Sequence, residues 1–479
     1  MIRYIINMKH FLTYPLSFIL FLTVQIAWAQ NVTVSEEIYL KNDYAYDILG
    51  KLDGNIILFR DQGNNVMVQA FGENLTMKWE REIQFEKNRV DVIGVLPTDS
   101  VFNVFYGYRM KGDYIVKHKR YDGDINVVDT STIVVYQNQY FNPRMLFSRS
   151  EDRSKVLLFR GDKDAEMDVF CYDLAQDTVI WDKQLIFRNT YLRRDFRRMV
   201  VSNAGDMFLV LENNRLLKKD YFEIHHINRA SGMLYTKEID LEENTPIDIF
   251  AEFDNLNSHL VIAGMYADRN LNRANGIYFA RVNWTEKVQK MKYIPFSEEL
   301  LEDVYGKRTS RNKGLTNFTI QNIVLRQDGG AIVIAEMNKE FSRAPNVPVR
   351  RDYMRSGWVD YYYEDLLVYS IHPDGEPHWN TVLKKRQYSQ DDDAAYSSYF
   401  LFRTQYDLRL LFNDEIRQEN TVSEYVLKGN GKSERNSVFS TDYQRLKLRF
   451  REGVQIAYDE CIVPSERNNR LNLVRIRFN

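Results

Sequence analysis

Cysteine and proline are scarce in this chain of 479 residues, which has 2 cysteines and 10 prolines. Two cysteines cannot form the disulfide framework that stabilises many exported proteins, so a hydrophobic core must provide the stability. Few prolines and a high aromatic content of 14% are typical of strands and not of disordered segments. The composition therefore favours a folded, β-rich protein.

The chain also lacks an excess of charge of either sign, because 64 lysines and arginines face 66 aspartates and glutamates. A general nucleic-acid binder carries a basic surplus, so this balance argues against nucleic acid as a partner. No long apolar run follows residue 29. We therefore predict no transmembrane segment in the mature chain.

The N-terminus has the features of a targeting segment. Arg3 and Lys9 supply positive charge before the apolar run Phe11–Ile26. Ala27-Trp28-Ala29 then provides the small residues of a cleavage site, which predicts a signal peptide over 1–29. The alternative is an uncleaved membrane anchor, although a run of about 16 residues is shorter than a spanning helix requires. The residue directly after the cleavage site is Gln30 and not a cysteine, so we expect a periplasmic, outer-membrane-associated or secreted protein that is not a lipoprotein.

An apolar run, a tight polar turn and a second apolar run recur along the mature chain. In the first unit, Tyr46–Leu49 leads through Asp53-Gly54 to Ile56–Phe59. The hairpins begin near residues 46, 92, 145, 199, 247, 323, 399 and 446. Their spacing of about 50 residues, with two intervals of about 76, is typical of propeller blades.

A second hairpin follows the first within each unit. Val169–Tyr172, for example, turns through Ala175–Asp177 into Val179–Trp181. Gly, Asp and Asn turns suit tight antiparallel hairpins, so each unit supplies four strands. We predict an all-β, eight-bladed β-propeller of four-stranded antiparallel blades. Seven blades and an array of separate β-sandwiches are the alternatives.

The last unit is one strand short, because the chain ends after a third strand at Leu471–Phe478. Val32–Leu40 precedes the first hairpin in the position where fourth strands precede the other hairpins. Pairing the two ends would remove the open sheet edges that promote aggregation. We therefore predict that the N-terminal strand closes the ring.

This repeat defines one propeller domain over residues 30–479. The predicted blades span approximately 44–89, 90–142, 143–196, 197–245, 246–316, 317–395, 396–443, and 444–479 with 32–41. Cys171 falls in the third blade and Cys461 in the eighth, beyond the Cα separation of about 7 Å that a disulfide allows. We predict two unpaired, mostly buried thiols.

The segment that joins third and fourth strands resembles the quinoprotein-type propeller repeat. Tyr172-Asp173 with Trp181, and Ile371–Trp379, carry the resemblance, and Trp79 holds the same tryptophan position. That family includes pyrroloquinoline-quinone dehydrogenases and BamB-like scaffold lipoproteins of the outer membrane. The neighbouring cysteines of the dehydrogenases and the acylated N-terminal cysteine of the scaffolds are both missing from this sequence. The resemblance therefore implies an eight-bladed fold and no particular activity.

Catalytic and metal-binding motifs are missing from the sequence. The histidines show no ligand spacing, and no nucleophile elbow or phosphate-binding loop occurs. His225-His226 are consecutive in a predicted strand and so point to opposite faces. Asp391-Asp392-Asp393 lacks the alternating spacing of a calcium loop and is predicted to be a solvated turn. We predict no catalytic residue, no metal and no cofactor.

Long loops cluster on one predicted face of the ring, the face that carries second-to-third-strand loops and blade-to-blade connections. Residues 297–316 join the fifth and sixth units and include a predicted short helix at Glu298–Tyr305. Residues 337–363 are predicted to be a loop within the sixth unit. Such long loops are uncommon without a function.

Arginine and aromatic residues are interleaved in these long loops. This is the composition of binding hot spots, because it combines bidentate hydrogen bonding with rigid contact area. The predicted binding residues are Tyr305, Arg308, Arg311, Arg343, Arg350, Arg351, Tyr353, Arg355 and Trp358. The alternative is a solvated face whose cations offset neighbouring acids.

Two functions are compatible with these features. The first is a non-catalytic binding or scaffold protein of the cell envelope, monomeric on its own, that recognises an envelope protein or an acidic polysaccharide. The second is a polysaccharide lyase or hydrolase that acts on an acidic glycan. A propeller can assemble such a site from several blades and leave no local motif.

Overall fold

The computed structural model describes residues 30–478 except 162–164, 188–189, 214–220, 269–272, 285–290, 307–313, 344–357, 415, 417–420 and 442–445. For Asn213, Arg343 and Trp358 only the backbone is described. None of the described helices is long and apolar enough to cross a membrane.

The strands form eight separate antiparallel sheets, each of which is one blade. The strands of the first four blades are β3 Ala45–Leu52, β4 Asn55–Asp61, β5 Val66–Phe71 and β6 Met77–Ile83 (blade 1); β7 Asp91–Pro97, β8 Val101–Met110, β9 Asp113–Asp122 and β10 Val127–Tyr136 (blade 2); β11 Leu146–Arg149, β12 Lys155–Gly161, β13 Glu166–Asp173 and β14 Thr178–Ile186 (blade 3); β15 Phe196–Val201, β16 Met207–Asn213, β17 Tyr221–Ile227 and β18 Leu234–Asp240 (blade 4).

The strands of the other four blades are β19 Thr245–Pro246, β20 Phe250–Asp254, β21 His259–Ala267, β22 Gly276–Val282 and β23 Lys292–Pro295 (blade 5); β24 Phe318–Leu325, β25 Ala331–Arg343, β26 Trp358–Ile371, β27 Pro377–Leu383 and β28 Gln387–Gln390 (blade 6); β29 Phe400–Arg403, β30 Asp407–Asn413, β31 Thr421–Lys428 and β32 Ser433–Ser440 (blade 7); β33 Val454–Gln455, β34 Glu460–Arg467 and β35 Arg470–Arg477 with β1 Asn31–Val34 and β2 Ile38–Tyr39 (blade 8). Two short α-helices, α1 Leu192–Asp195 and α2 Glu298–Tyr305, and the 3-10 turn Phe450–Glu452 connect strands. The predicted eight-bladed propeller is confirmed.

The hydrophobic core lies between neighbouring blades. Leu157 of blade 3, for example, belongs to the same buried cluster as Leu209 of blade 4. Eight such clusters occupy the eight interfaces, including the one in which Ile38 and Leu473 of blade 8 meet Leu58 of blade 1. Each blade is therefore buried on both faces, and the ring is continuous.

The predicted closure by the N-terminal strand is confirmed. Strand β1 pairs antiparallel with β35, with Val32 opposite Ile476, and β2 continues the pairing at Ile38 and Leu471. Between the two strands, the Ser35 hydroxyl accepts a hydrogen bond from the Leu473 N–H at 2.9 Å. Both ends of the chain are thus held in one sheet.

The innermost strand of blade 8 differs from the prediction. Val454–Tyr458 was expected to be the second strand, but β33 is an innermost strand of two residues that pairs with β34. Leu448 pairs with the same strand further along, opposite Ser465. Phe450 is buried, and the 3-10 turn at this point divides the innermost strand into two short pieces.

Blade 5 shows a similar break where Ile247–Phe250 was predicted to be one strand. Asp248 interrupts the ladder, because its carboxylate accepts hydrogen bonds from the N–H groups of Met265 at 2.6 Å and Ile320 at 2.5 Å. These donors belong to blades 5 and 6, so one side chain connects the two sheets. Burial raises the pKa of Asp248 to about 6.

The region 337–363 is largely not the predicted loop. Strands β25 and β26 extend beyond the rest of the blade as a two-stranded ribbon that reaches the pair Arg343 and Trp358. Strand β28 also pairs with this ribbon, with Ser389 opposite Tyr361. The prediction was wrong because the ribbon is rich in tyrosine and charge, a composition that we assigned to loops. The helix predicted at Glu298–Tyr305 is confirmed as α2, and its N-cap is the hydroxyl of Ser297.

Candidate functional site

Most of the predicted binding residues lie outside the part of the chain that the structure describes. These are Arg308, Arg311, Arg350, Arg351, Tyr353 and Arg355. The backbones of Arg343 and Trp358 lie opposite each other at the tip of the ribbon. Tyr305 is half-buried at the end of α2, and its hydroxyl accepts a hydrogen bond from the Thr316 N–H at 3.0 Å. Its observed role is to fix the helix to the following segment.

The two cysteines and the consecutive histidines His225 and His226 are buried in the core of the blades. Cys171 and Cys461 are buried and unpaired, as predicted, and burial raises the pKa of Cys171 to about 12. His225 and His226 are both buried and contact different neighbours, Phe187 and Phe208 respectively. No three His, Cys, Asp or Glu side chains among the described residues are grouped so as to hold a metal ion.

A cavity of about 780 Å³ lies within the ring and is lined by the innermost strands of blades 3 to 7. The inner edge of each blade borders this central channel, so consecutive residues of one strand line it. Phe147, Ser148 and Arg149 of β11 do so, as do Phe250 and Glu252 of β20. Arg403, at the end of β29, completes the wall.

Two arginines of adjacent positions on β15 have carboxylate partners. Arg198 Nη2 lies 3.0 Å from Glu252 Oε1, and its guanidinium lies over the ring of Phe250. Arg197 Nε lies 2.7 Å from Glu212 Oε2. Burial raises the pKa of the Glu252 carboxyl, and the charge of Arg198 opposes this shift. The positive charge of these two arginines is therefore largely compensated.

Arg149 and Arg403 have weaker partners. Neither forms an ion pair within 4.0 Å among the residues that the structure describes, but Asp47 interacts electrostatically with Arg149, and Glu252 with Arg403. Burial lowers the pKa of Arg149, Arg153 lowers it further, and the more distant Asp47 raises it. Arg149 and Arg403 are exposed to solvent, and Arg153 also lines the channel without a close ion pair among the described residues, so three cations are accessible to an anion.

The mouth of the channel is held by hydrogen bonds between turns. We call this side the turn face, because first and second strands are joined here. The Asn203 N–H donates to Asn255 Oδ1 at 2.8 Å, and Asn255 Nδ2 donates to Glu151 Oε2 at 2.9 Å, so blades 3, 4 and 5 are connected. Across the mouth, the Gln455 amide bonds to the backbone N–H and C=O of Arg403 at 3.1 and 2.8 Å. The rim is therefore preorganised.

No protein-family model matches this chain, and no curated protein does. Several solved structures are similar to it at low identity. The polysaccharide lyase Uly1 has a TM-score of 0.41 and 10% identity, over 93% of this chain and 99% of that chain. Dipeptidyl peptidase 4 of Porphyromonas gingivalis has a TM-score of 0.43 and 11% identity, over 88% of this chain and 56% of that chain.

A third similar structure is the dihydro-heme d1 dehydrogenase NirN, with a TM-score of 0.42 and 10% identity over 92% of this chain and 78% of that chain. Similarity at this level does not extend beyond the fold, and it does not show membership of the quinoprotein-type family. Because one fold serves many functions, the function has to be argued from the channel itself.

The binding residues predicted from the sequence lie on the long loops, and the channel residues were not among them. The channel residues come from five blades and are separated by roughly one repeat period each, so no local motif unites them. A signal was present, because Arg149, Glu252 and Arg403 are charged residues within short innermost strands that are otherwise mainly apolar.

A second polar cluster, between blades 1 and 8, is internally paired. The Tyr46 hydroxyl lies 3.0 Å from Glu452 Oε2 and 3.2 Å from Glu466 Oε2. Arg449 Nη2 lies 2.6 Å from Glu452 Oε1, and the same guanidinium also pairs with Glu466. These four residues line a cavity of about 320 Å³. Their mutual hydrogen bonds give this closure cluster a structural role across the seam of the ring.

Proposed function

We propose that this protein is an exported binding protein that holds an anionic ligand in its central channel and catalyses no reaction on it. The observation that carries the proposal is the pair Arg149 and Arg403, which line the channel, are exposed to solvent, and form no ion pair within 4.0 Å with a described carboxylate. An accessible guanidinium in a concave site forms charge-assisted, bidentate hydrogen bonds with an incoming anion.

The size of the channel favours a small ligand, or the end of a chain, over a folded protein. Its volume of about 780 Å³ lies within the range of roughly 300–1,000 Å³ that is typical of small-molecule sites. The rings of Phe147 and Phe250 provide apolar wall beside the charged groups. Most of the wall is polar and includes five arginines, so a polar or charged ligand fits it better than an apolar one.

One feature supports binding without catalysis. The Ser148 hydroxyl donates to the Met199 carbonyl at 3.2 Å, and the Ser150 hydroxyl, which donates to Asp152 at 2.6 Å, belongs to a buried residue that a substrate does not reach. Nucleophilic catalysis requires a base within hydrogen-bond reach of the nucleophile.

Export rests on the signal peptide proposed at 1–29. The proposed destination is the periplasm, the outer membrane or the exterior, and the proposed state is a monomer.

The test is calorimetric titration of the purified mature chain with small carboxylated, sulfated and phosphorylated compounds. We expect at least one anion to bind, and the double variant Arg149→Gln/Arg403→Gln to lose that binding while it unfolds at the same temperature as the parent. The control is Arg467→Gln, an exposed arginine next to the turn between second and third strands of blade 8. Equal binding by the double variant and the parent would disprove the proposal.

A second candidate function is hydrolysis or lyase cleavage of an acidic glycan in the same channel. The observation that favours it is the raised pKa of Glu252, which is typical of a carboxyl that donates or accepts a proton. Incubation with a panel of acidic polysaccharides tests it. Release of reducing ends or of ultraviolet-absorbing unsaturated products, abolished in Glu252→Gln, would favour the enzyme over the binding protein.

A further inference from the structure

We infer that the ligand is an acidic oligosaccharide of the uronate type, and that it enters from the turn face across an aromatic platform formed by Tyr406 and Tyr458. This inference rests on the proposed function of the channel, because it names the class of anion and its route of entry. Neither tyrosine belongs to the long loops that the sequence favoured.

Tyr406 and Tyr458 lie on the neighbouring turns of blades 7 and 8. Their exposed fractions are 79% and 80%, which is high for aromatic side chains. Gln455 joins the two turns through its hydrogen bonds to the backbone of Arg403, the residue whose guanidinium lines the channel. The two tyrosines therefore lie on turns next to Arg403, on the turn face of the channel.

A uronate residue has three recognisable chemical features, namely an apolar C–H face, several hydroxyls and one carboxylate. The described surface offers a counterpart for each. Tyrosine rings provide rigid apolar area with a polar end, and arginine pairs bidentately with carboxylate. Glu151, at the mouth, and Glu252, within the channel, can accept hydrogen bonds from hydroxyl groups.

The same carboxylates disfavour a densely charged ligand. Glu151 and Glu252 line the channel, and Asp47 lies close enough to influence Arg149. Like charges in a confined site repel strongly, so sulfated or phosphorylated ligands would meet these carboxylates unfavourably. A glycan with one carboxylate per ring places its charges far enough apart to pair with arginine and avoid the acids.

The opposite end of the channel is less suited to an anion. The closure cluster has two glutamates and one arginine, and Tyr46 lies near the start of the innermost strand β3, away from the turn face. Its Glu452 lies close enough to Asp47 for each charge to raise the energy of the other. An anionic chain therefore approaches from the turn face, where Arg403 lies.

The experiment titrates the mature chain with three probes of equal length. These are a tetrasaccharide of galacturonate, the same tetrasaccharide with its carboxyls reduced to neutral hydroxymethyl groups, and a sulfated tetrasaccharide. The variants are Tyr406→Ala, Tyr458→Ala and Arg149→Gln/Arg403→Gln. Tyr140→Ala is the matched control, because Tyr140 is 90% exposed but lies in the connection between blades 2 and 3.

We expect the galacturonate probe to bind, and carboxyl reduction or loss of either platform tyrosine to raise its Kd by about tenfold or more. Tyr140→Ala should leave the Kd unchanged. If the sulfated probe binds as tightly through the two arginines, or if both tyrosine variants bind like the parent, this inference is wrong and the anion-binding function stands. If no probe binds, the uronate inference is wrong, and the titration with small anions decides the proposed function. If a probe binds equally to the parent and to Arg149→Gln/Arg403→Gln, both proposals fail.

Discussion

At the scale of single residues, the pair Glu336 and Lys385 shows how charge is used inside blade 6. Both side chains are fully buried, and Lys385 Nζ lies 2.7 Å from Glu336 Oε1 and 2.7 Å from Gln387 Oε1. The Ser398 hydroxyl donates to Glu336 Oε2 at 2.5 Å, which brings in the connection to blade 7. Each charge thus depends on the other, because burial alone lowers the pKa of Lys385.

Glu336→Gln should therefore destabilise the protein by about 3–5 kcal/mol, since it leaves the lysine buried without its counter-charge. The double variant Glu336→Leu/Lys385→Met removes both charges and should recover most of that loss. The exposed pair Lys428 and Glu434 is the control, and Glu434→Gln should leave the free energy of unfolding nearly unchanged. Urea unfolding measures all three, and equal losses for the buried and the exposed pair would contradict the argument.

Asp248 provides a pH-dependent prediction at the same scale. Its pKa in the folded protein is about 6 against 3.8 for the ordinary group, so the folded state holds the proton more tightly than the unfolded state. The contribution of this group to stability is then fully present below about pH 4 and is lost as the pH rises through 6. Relative to Asp248→Asn, the free energy of unfolding of the parent should fall by about 2 kcal/mol between pH 4 and pH 7.

The measurement is the free energy of unfolding of parent and variant at pH 4, 5, 6 and 7. Taking the difference between the two proteins removes the contributions of the other carboxyls, several of which have lowered pKa values and act in the opposite direction. Parallel curves for parent and variant would show that Asp248 does not titrate in this range.

At the scale of elements, regular hairpins could be predicted from the sequence and irregular strands could not. Apolar runs on either side of the Asp53-Gly54 turn define β3 and β4, and the Ser297 cap with its acidic first turn defines α2. The breaks in the innermost strands of blades 5 and 8 depend on tertiary partners. Asp248 replaces a ladder bond only because Ile320 of the next blade is there to donate.

The candidate site could not be predicted from the sequence for a related reason. Arg149 and Arg403 line one cavity only because the ring arranges blades 3 and 7 around the same axis. The lengths of the loops do not indicate which residues face that axis. The ribbon β25–β26 illustrates the opposite error. Its tyrosines favoured a binding loop, but Tyr361, Tyr362 and Tyr363 are paired strand residues.

The hypothesis that the arginine-rich long loops bind a partner makes a separate prediction, which concerns the segment between β25 and β26. If that segment binds an anionic partner, Arg350→Glu, Arg351→Glu and Arg355→Glu together should weaken its capture without lowering the melting temperature. Pull-down from cell-envelope extracts, with the parent as reference, measures this. Unchanged capture by the triple variant, combined with loss of ligand in Arg149→Gln/Arg403→Gln, would assign binding to the channel alone.

At the scale of the whole molecule, the channel exists only as long as the ring is closed. Its rim is tied on one side through blades 3, 4 and 5 and on the other through blades 7 and 8. Blade 8 is itself completed by the N-terminal strands. The affinity of the channel should therefore depend on residues 31–39, although none of them lines it.

Deletion of residues 30–41 tests this dependence directly. It would remove β1 and β2, expose the edge of β35, and uncover apolar residues such as Leu471 and Leu473 that Ile38 helps to bury. We expect a lower melting temperature and concentration-dependent association, because an unpaired apolar edge is a template for pairing with another chain. Adding the peptide 30–41 in excess should reverse both effects, since its strands can occupy the vacant edge. If the truncated protein stays monomeric and melts at the same temperature as the parent, the ring holds without the outermost strand of blade 8. The channel would then not depend on the closure.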